Sequence, residues 1–290
     1  MILPHGRHIS ASPSRRARVT SRHRRVMQVA AGGAVTWRSD DVSTEEPLEI
    51  RVGTVSLSVT MRTPGDDFDL VAGFLVTEGI VNSANEIDAM RMCPEAAAET
   101  GELNVVEVLL SPDAASRPLT PRAFFMTSSC GICGKASIET VRTRTSWEVR
   151  DDPLRVSSSV LLGLPEKQRS AQHQFSSTGG LHAAALFDPD GALLCVREDV
   201  GRHNAFDKVI GWAATQGLLP LRSHMILASG RASFELTQKT LMAGIPLLAA
   251  ISAPSSLAVE LAAESGMTLI GFLRGEQMNV YAGHERINAA

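Results

Sequence analysis

Two cysteines three positions apart, Cys130 and Cys133, hold the most chemistry per residue in this chain. They lie in Ser129-Cys130-Gly131-Ile132-Cys133-Gly134-Lys135. The apolar run Phe124-Phe125-Met126 before them reads as a strand, and Lys135 to Val141 reads as a helix. A thiol at a strand-to-helix junction sits near free backbone N–H groups and the positive end of the helix dipole, which favours the thiolate. Lys135 adds positive charge, and Gly131 and Gly134 permit a tight turn that keeps sulfur accessible. An exposed thiolate can attack a donor persulfide, hold the sulfane sulfur and present it to an acceptor. The same C-x-x-C spacing also serves a dithiol–disulfide redox centre or half of a zinc site. No compact βαβ unit precedes it, as a thioredoxin-like domain would require. Cys93, Cys195, His182 and His203 offer no second closely spaced pair for zinc. A structural turn with inert thiols is the bland alternative, and the glycines and polar flanks weigh against it.

Further segments carry polar residues in strand–loop–helix settings, where α/β proteins bind ligands at the carboxyl ends of strands. Asp199-Val200-Gly201-Arg202-His203-Asn204 packs acid, base and imidazole into one turn. Ser229-Gly230-Arg231-Ala232-Ser233 offers an arginine and helix-start amides, an anion seat in principle. Ser252-Ala253-Pro254-Ser255-Ser256 repeats the setting, and Phe272-Leu273-Arg274-Gly275-Glu276-Gln277 ends the last long strand. Arg274 there can reach a phosphate or guanine, or simply form a surface salt bridge. His182, after Thr178-Gly179-Gly180-Leu181, has a structural role as its default reading, and Cys195 reads as core.

These segments need elements to position them. Leu48–Val52 and Val55–Val59 alternate apolar and polar residues around Gly53-Thr54, a β-hairpin. Asp66 to Thr77 reads as a helix with Asp66 as N-cap, and Leu103 to Leu110 as a strand. Asp151 to Ser159, polar and Ser-rich, reads as a linker. Beyond it a helix at 160–172 precedes a hairpin, Leu181–Phe187 with Ala192–Arg197. Helices at 204–215, 234–242 and 256–263 then alternate with strands at 225–228, 246–251 and 268–273. Short apolar strands alternating with helices predict a mostly parallel sheet covered on both faces. The fold class is α/β, with residues 26–150 as an N-terminal α+β region ending in the cysteine loop and 151–290 as the α/β domain.

Composition narrows the function. With 44% hydrophobic and 20% charged residues, 290 residues can bury a full core. A net charge of −3 disfavours a general nucleic-acid binder. Four cysteines so unevenly placed make no disulfide framework, and no stretch reaches the roughly 20 apolar residues of a membrane span. A soluble protein in a reducing cytoplasm is expected. Residues 1–25 hold seven arginines and no acid, and read as a disordered basic tail with ordered structure from about Val26.

The ordered motifs resemble one family. Thr63-Pro64-Gly65-Asp66-Asp67, the Ser129–Lys135 segment, Glu198–Asn204 and Gly271-Phe272-Leu273-Arg274-Gly275-Glu276 are similar to the FdhD family, from about Val26 to Ile287. These are sulfur carriers needed for active formate dehydrogenase. The resemblance implies a cytidine-deaminase-like three-layer larger domain with a smaller, mainly β N-terminal region, and a homodimer. It implies that Cys130 carries a persulfide received from a cysteine desulfurase and that Cys133 assists or protects. The acceptor would be the molybdenum bis(guanine dinucleotide) cofactor, held by Phe272, Leu273, Arg274, Gly275, Glu276 and Gln277 before insertion into formate dehydrogenase. No permanently bound metal is expected, because the His-x-Glu and Pro-Cys-x-x-Cys set of zinc deaminases is absent. A C-x-x-C thiol oxidoreductase and a zinc-stabilised binding module are the rival readings.

Overall fold

A computed structural model describes residues 20–93, 104–117 and 147–288 in full, with the backbone of Ile2–Leu3 and Arg7–Ser10. Those two short pieces form strands β1 and β2. A two-stranded sheet follows, β3 (Ser21–Val29) paired antiparallel with β4 (Val35–Ser43), so β3 starts ahead of the expected Val26. The predicted hairpin is β5 (Glu46–Val52) and β6 (Val55–Arg62), turned at Gly53 with φ 57°. With β7 (Ile87–Met92) and β8 (Val105–Leu110) it builds a six-stranded sheet in the order β1-β2-β7-β8-β5-β6.

Helix α1 (Asp67–Thr77) covers that sheet through Leu70, Val71 and Leu75. Asp66 occupies its N-cap position but has φ 51° and makes no capping hydrogen bond. Asp67 instead accepts from Gly65 N–H and from the Arg62 guanidinium, buried beneath the turn. After a single-turn helix α2 (Pro112–Ala115), the chain is next described from Trp147.

The second sheet runs β11-β10-β12-β13-β14-β15. Its strands are β10 (His182–Phe187), β11 (Leu193–Asp199), β12 (Met225–Ala228), β13 (Leu247–Ala250), β14 (Thr268–Arg274) and β15 (Gln277–Ala282). Only β12–β13 and β13–β14 are parallel. The sheet is therefore mixed, not mostly parallel, because both flanks are hairpins (β10–β11 and β14–β15) and β10 docks antiparallel on β12.

Both faces are buried, and alternation divides them. Ala184, Leu186, Ile226, Leu248 and Leu269 face a core shared with α1, α5 (Arg202–Thr215), α6 (Phe234–Met242) and α7 (Ser256–Ser265). Ala185, Phe187, Leu227, Ala249 and Ile270 face α3 (Ser158–Ala171) through Leu161 and Leu164. Serine hydroxyls cap three of these helices: Ser157, Ser233 and Ser255 accept from Val160, Leu236 and Ala258 N–H.

Where α1 crosses α5 there is no room for a side chain. A Cβ at Gly73 would lie 1.8 Å from Asp207 O, and one at Gly211 would lie 1.8 Å from Asp69 O. This crossing carries the first sheet onto the second, and both contribute to one hydrophobic core. Residues 151–159 are not an exposed linker. Asp152, Leu154 and Val156 are buried, and β9 (Val156–Ser157) pairs with the terminal strand β16 (Ile287–Asn288). Apolar residues at alternate positions of that segment were the signal; its serines masked it.

Candidate functional site

Three parallel strands end at one edge of the second sheet, so the loops after Ala228, Ala250 and Arg274 come together there. Backbone hydrogen bonds stitch them. Ile251 N–H donates to Ala228 O, Ser252 N–H to Gly230 O, Ser255 N–H to Ala232 O, and Phe272 N–H to Ser252 O. Because β10 and β11 run antiparallel, the start of β10 and the end of β11 reach the same edge, and His182 pairs with Asp199.

A cleft of about 640 Å³ opens at this edge. Its walls include Arg274 and Gly275 from β14, Ser229 after β12, the Gly179–His182 turn, and Arg169 and Gln172 from the end of α3. Phe175 from α4 (His173–Thr178) completes one side, with the Arg169 guanidinium 4.8 Å from its ring centre. Glu198 fixes that wall by accepting the N–H groups of Gln174 and Phe175. Cationic side chains beside an aromatic ring suit an anionic ligand with a flat base, since bases stack on rings and phosphates pair with guanidinium.

The expected Phe272–Gln277 segment is divided by its turn. Arg274 and Gly275 line the cleft. Phe272, with φ 53°, is half-buried and its ring lies 5.7 Å from the Arg274 guanidinium. Leu273 is buried in the core facing α3, while Glu276 and Gln277 are exposed on the β14–β15 turn. Cys130 and Cys133 lie outside the described residues. Arg169, Gln172 and Phe175 had no site role in the sequence reading. The polar spacing of Arg169 and Gln172 on one helix face was the available signal.

The Asp199–Asn204 loop has a structural role. Asp199 is fully buried and holds Lys208 Nζ at 2.7 Å, while accepting from Thr63, Gly201 and Asn204. Asn204 also donates to Met61 O, and Lys208 donates to Thr63 O. The loop thus clasps the β6–α1 turn of the first sheet. Beyond it, His203 Nε2 lies 2.5 Å from Glu235 Oε2, a contact that holds the Glu235 carboxyl below the usual carboxylate range.

His182 behaves differently. Burial, followed by the charges of Arg202 and His203, pushes its imidazole below the ordinary histidine range. Cys195 is core, as expected, with burial pushing its thiol up to about 12. Among the described residues no three His, Cys, Asp or Glu side chains converge as metal ligands, and no helix is long and apolar enough to cross a membrane.

The FdhD/NarQ family model matches residues 43–288. The chain belongs to the FdhD/NarQ family. FdhD relatives resemble it over nearly its whole length. Sulfur carrier protein FdhD of Mycolicibacterium paratuberculosis is 55% identical over 271 residues, covering 93% of this chain and 99% of the relative. The protein of that name from Streptomyces avermitilis is 54% identical, covering 93% of this chain and 96% of its own. That from Saccharolobus solfataricus is 43% identical, with 86% and 91% covered. A solved structure from Desulfotalea psychrophila, described as a formate dehydrogenase accessory protein, shares the fold. Its TM-score is 0.72 at 24% identity, covering 93% of this chain and all of that one.

Proposed function

We propose that this protein is a sulfur carrier for formate dehydrogenase, working through a persulfide on Cys130. The observation that carries the reading is the 55% identity, over 93% of the chain, to a protein named as a sulfur carrier. In the first step the Cys130 thiolate attacks the terminal sulfur of a cysteine desulfurase persulfide. The donor's S–S bond breaks, its thiolate leaves, and Cys130 keeps the sulfane sulfur. Release of that sulfur as sulfide takes two electrons. Attack by the Cys133 thiol on the Cys130 sulfur supplies them, closing a Cys130–Cys133 disulfide.

The acceptor in this reading is the molybdenum bis(guanine dinucleotide) cofactor, a substrate bound before delivery to formate dehydrogenase. The cleft supports it: Arg274 and Arg169 suit a pyrophosphate, and Phe175 offers a face for guanine. Phe272 packs beneath Arg274, and Gly275 leaves the rim open. Leu273, Glu276 and Gln277 act through the turn that presents them. The α3 layer, the second sheet and the opposing helices support a cytidine-deaminase-like three-layer reading of the larger domain. A homodimer in a reducing cytoplasm completes the proposal, since persulfide transfer needs thiols kept out of stable disulfides.

Mass spectrometry after incubation with cysteine desulfurase and cysteine tests this. The expected result is a gain of one sulfur, about 32 Da, on Cys130 and reversed by reductant. In Cys133→Ala, which has no resolving thiol beside it, the adduct on Cys130 should persist; a Cys133→Ala protein that gains no sulfur would replace the proposal with a thiol oxidoreductase.

A further inference from the structure

The cleft contains an imidazole that nothing in the protein has claimed. His182 is half-buried at the start of β10, and its ring makes no hydrogen bond among the described residues. Gly230 lies against the ring: a Cβ there would sit in van der Waals contact, 3.4 Å from Nδ1 and 3.6 Å from Cε1. The acids that could pair with it are engaged elsewhere. Asp199 is held by Lys208, Thr63, Gly201 and Asn204. Glu235 faces His203, and Glu166 on the cleft wall accepts from Ser170. The charges of Arg202, His203 and Asp199 act on the ring, and Arg169 and Arg274 share the cleft walls with it. Ser229 Oγ accepts from Ala183 N–H, which leaves its own proton free to donate. A half-buried imidazole in a cleft that also carries two guanidinium groups and a free hydroxyl suits an anionic ligand.

We propose that His182 is a proton-accepting, specificity-determining contact for a phosphate of the ligand, completing a seat made with Arg169, Arg274 and Ser229. The inference rests on the cleft reading above. The step moves one proton from solvent onto a ring nitrogen as the phosphate enters, and returns it on release; no other bond changes. In the free protein burial and the neighbouring cations keep the ring neutral near pH 7. A bound phosphate favours the charged form and raises the ring's affinity for the proton. Proton uptake therefore occurs between the lowered free value and the raised bound one, and binding tightens as pH falls through that window.

Calorimetry with diguanosine pyrophosphate tests this, because its diester phosphates do not titrate near neutrality. Titrations at pH 7 in buffers of different ionisation heat count protons. Wild type should take up a measurable fraction of a proton and bind up to about tenfold tighter at pH 6 than at pH 8. His182→Gln should bind with no uptake and a flat pH profile. His182→Lys, charged throughout, should bind at both pH values, also without uptake. Guanosine, lacking phosphate, should show no linkage in any protein. Binding without uptake in wild type, or equal uptake in wild type and His182→Gln, overturns the role of His182 and leaves the cleft reading standing. Absence of any dinucleotide binding to wild type overturns both.

Discussion

Lys208 Nζ meets Asp199 Oδ2 at 2.7 Å with both side chains shut away from water. The pair joins the Glu198–Asn204 motif to the Thr63–Asp67 motif, since Lys208 also donates to Thr63 O and Asp199 accepts from Thr63 N–H. Two of the motifs that mark the family thus form one clasp between the sheets.

Removing one partner of a buried pair leaves an uncompensated charge, which costs about 3–5 kcal/mol. Lys208→Met should destabilise the protein by that order in urea unfolding. Lys208→Met with Asp199→Asn should recover part of the loss, because neither remaining group is charged. A Lys208→Met variant of wild-type stability would refute the clasp.

The helix crossing tolerates no methyl group. Gly73→Ala places a carbon against the Asp207 carbonyl, so the backbones must part. Overpacking typically costs about 1–3 kcal/mol, and this substitution should exceed that range because the obstacle is main chain. Gly163→Ala, on a helix with open space at that position, is the control and should be tolerated. Soluble yield and urea midpoint report the difference.

Native thiol chemistry should be confined to part of the cysteine set. Cys93 and Cys195 are buried, and a thiol moved from 9.0 to about 12 holds about a thousandfold less thiolate at pH 8. Labelling of the folded, reduced protein should stop at Cys130 and Cys133, with all four cysteines reacting in denaturant. Cys195 has its folded value raised, so its contribution to stability is complete below the unfolded value near 9.0. That contribution falls away as pH rises towards about 12. Rapid native labelling of Cys195 would contradict its burial.

Arg274 stands exposed at the cleft rim beside Phe272. Arg274→Ala should weaken guanosine diphosphate binding about tenfold, the loss of one charge-assisted contact. Arg274→Lys should restore only part, since a point charge lacks the planar fork. Arg38→Ala, on the β3–β4 hairpin, should leave affinity unchanged. Equal affinity of wild type and Arg274→Ala in fluorescence titration would remove that rim from the site.

Local pattern was readable wherever it had a local cause. The β5–β6 hairpin announced itself by alternation around Gly53-Thr54, and helices expected at 234–242 and 256–263 form as α6 and α7. Strand direction was not readable, because the antiparallel docking of β10 on β12 depends on how a hairpin returns to the sheet. Nothing local in the sequence marks Lys208 and Arg62 as buried. Their burial becomes intelligible only when Asp199 and Asp67 stand beside them. At the site, strand–loop–helix punctuation exposed Ser229 and Arg274, whereas Arg169 and Phe175 reach the cleft through helix packing that no short window encodes.

Main chain resting on main chain at Gly73 and Gly211 has a thermodynamic corollary. Each helix supplies a wall that the other cannot replace with water, so the two sheets should melt together in a single calorimetric peak. Cutting the chain between them would yield fragments that each expose a long greasy trough, and neither would be expected to hold its shape alone.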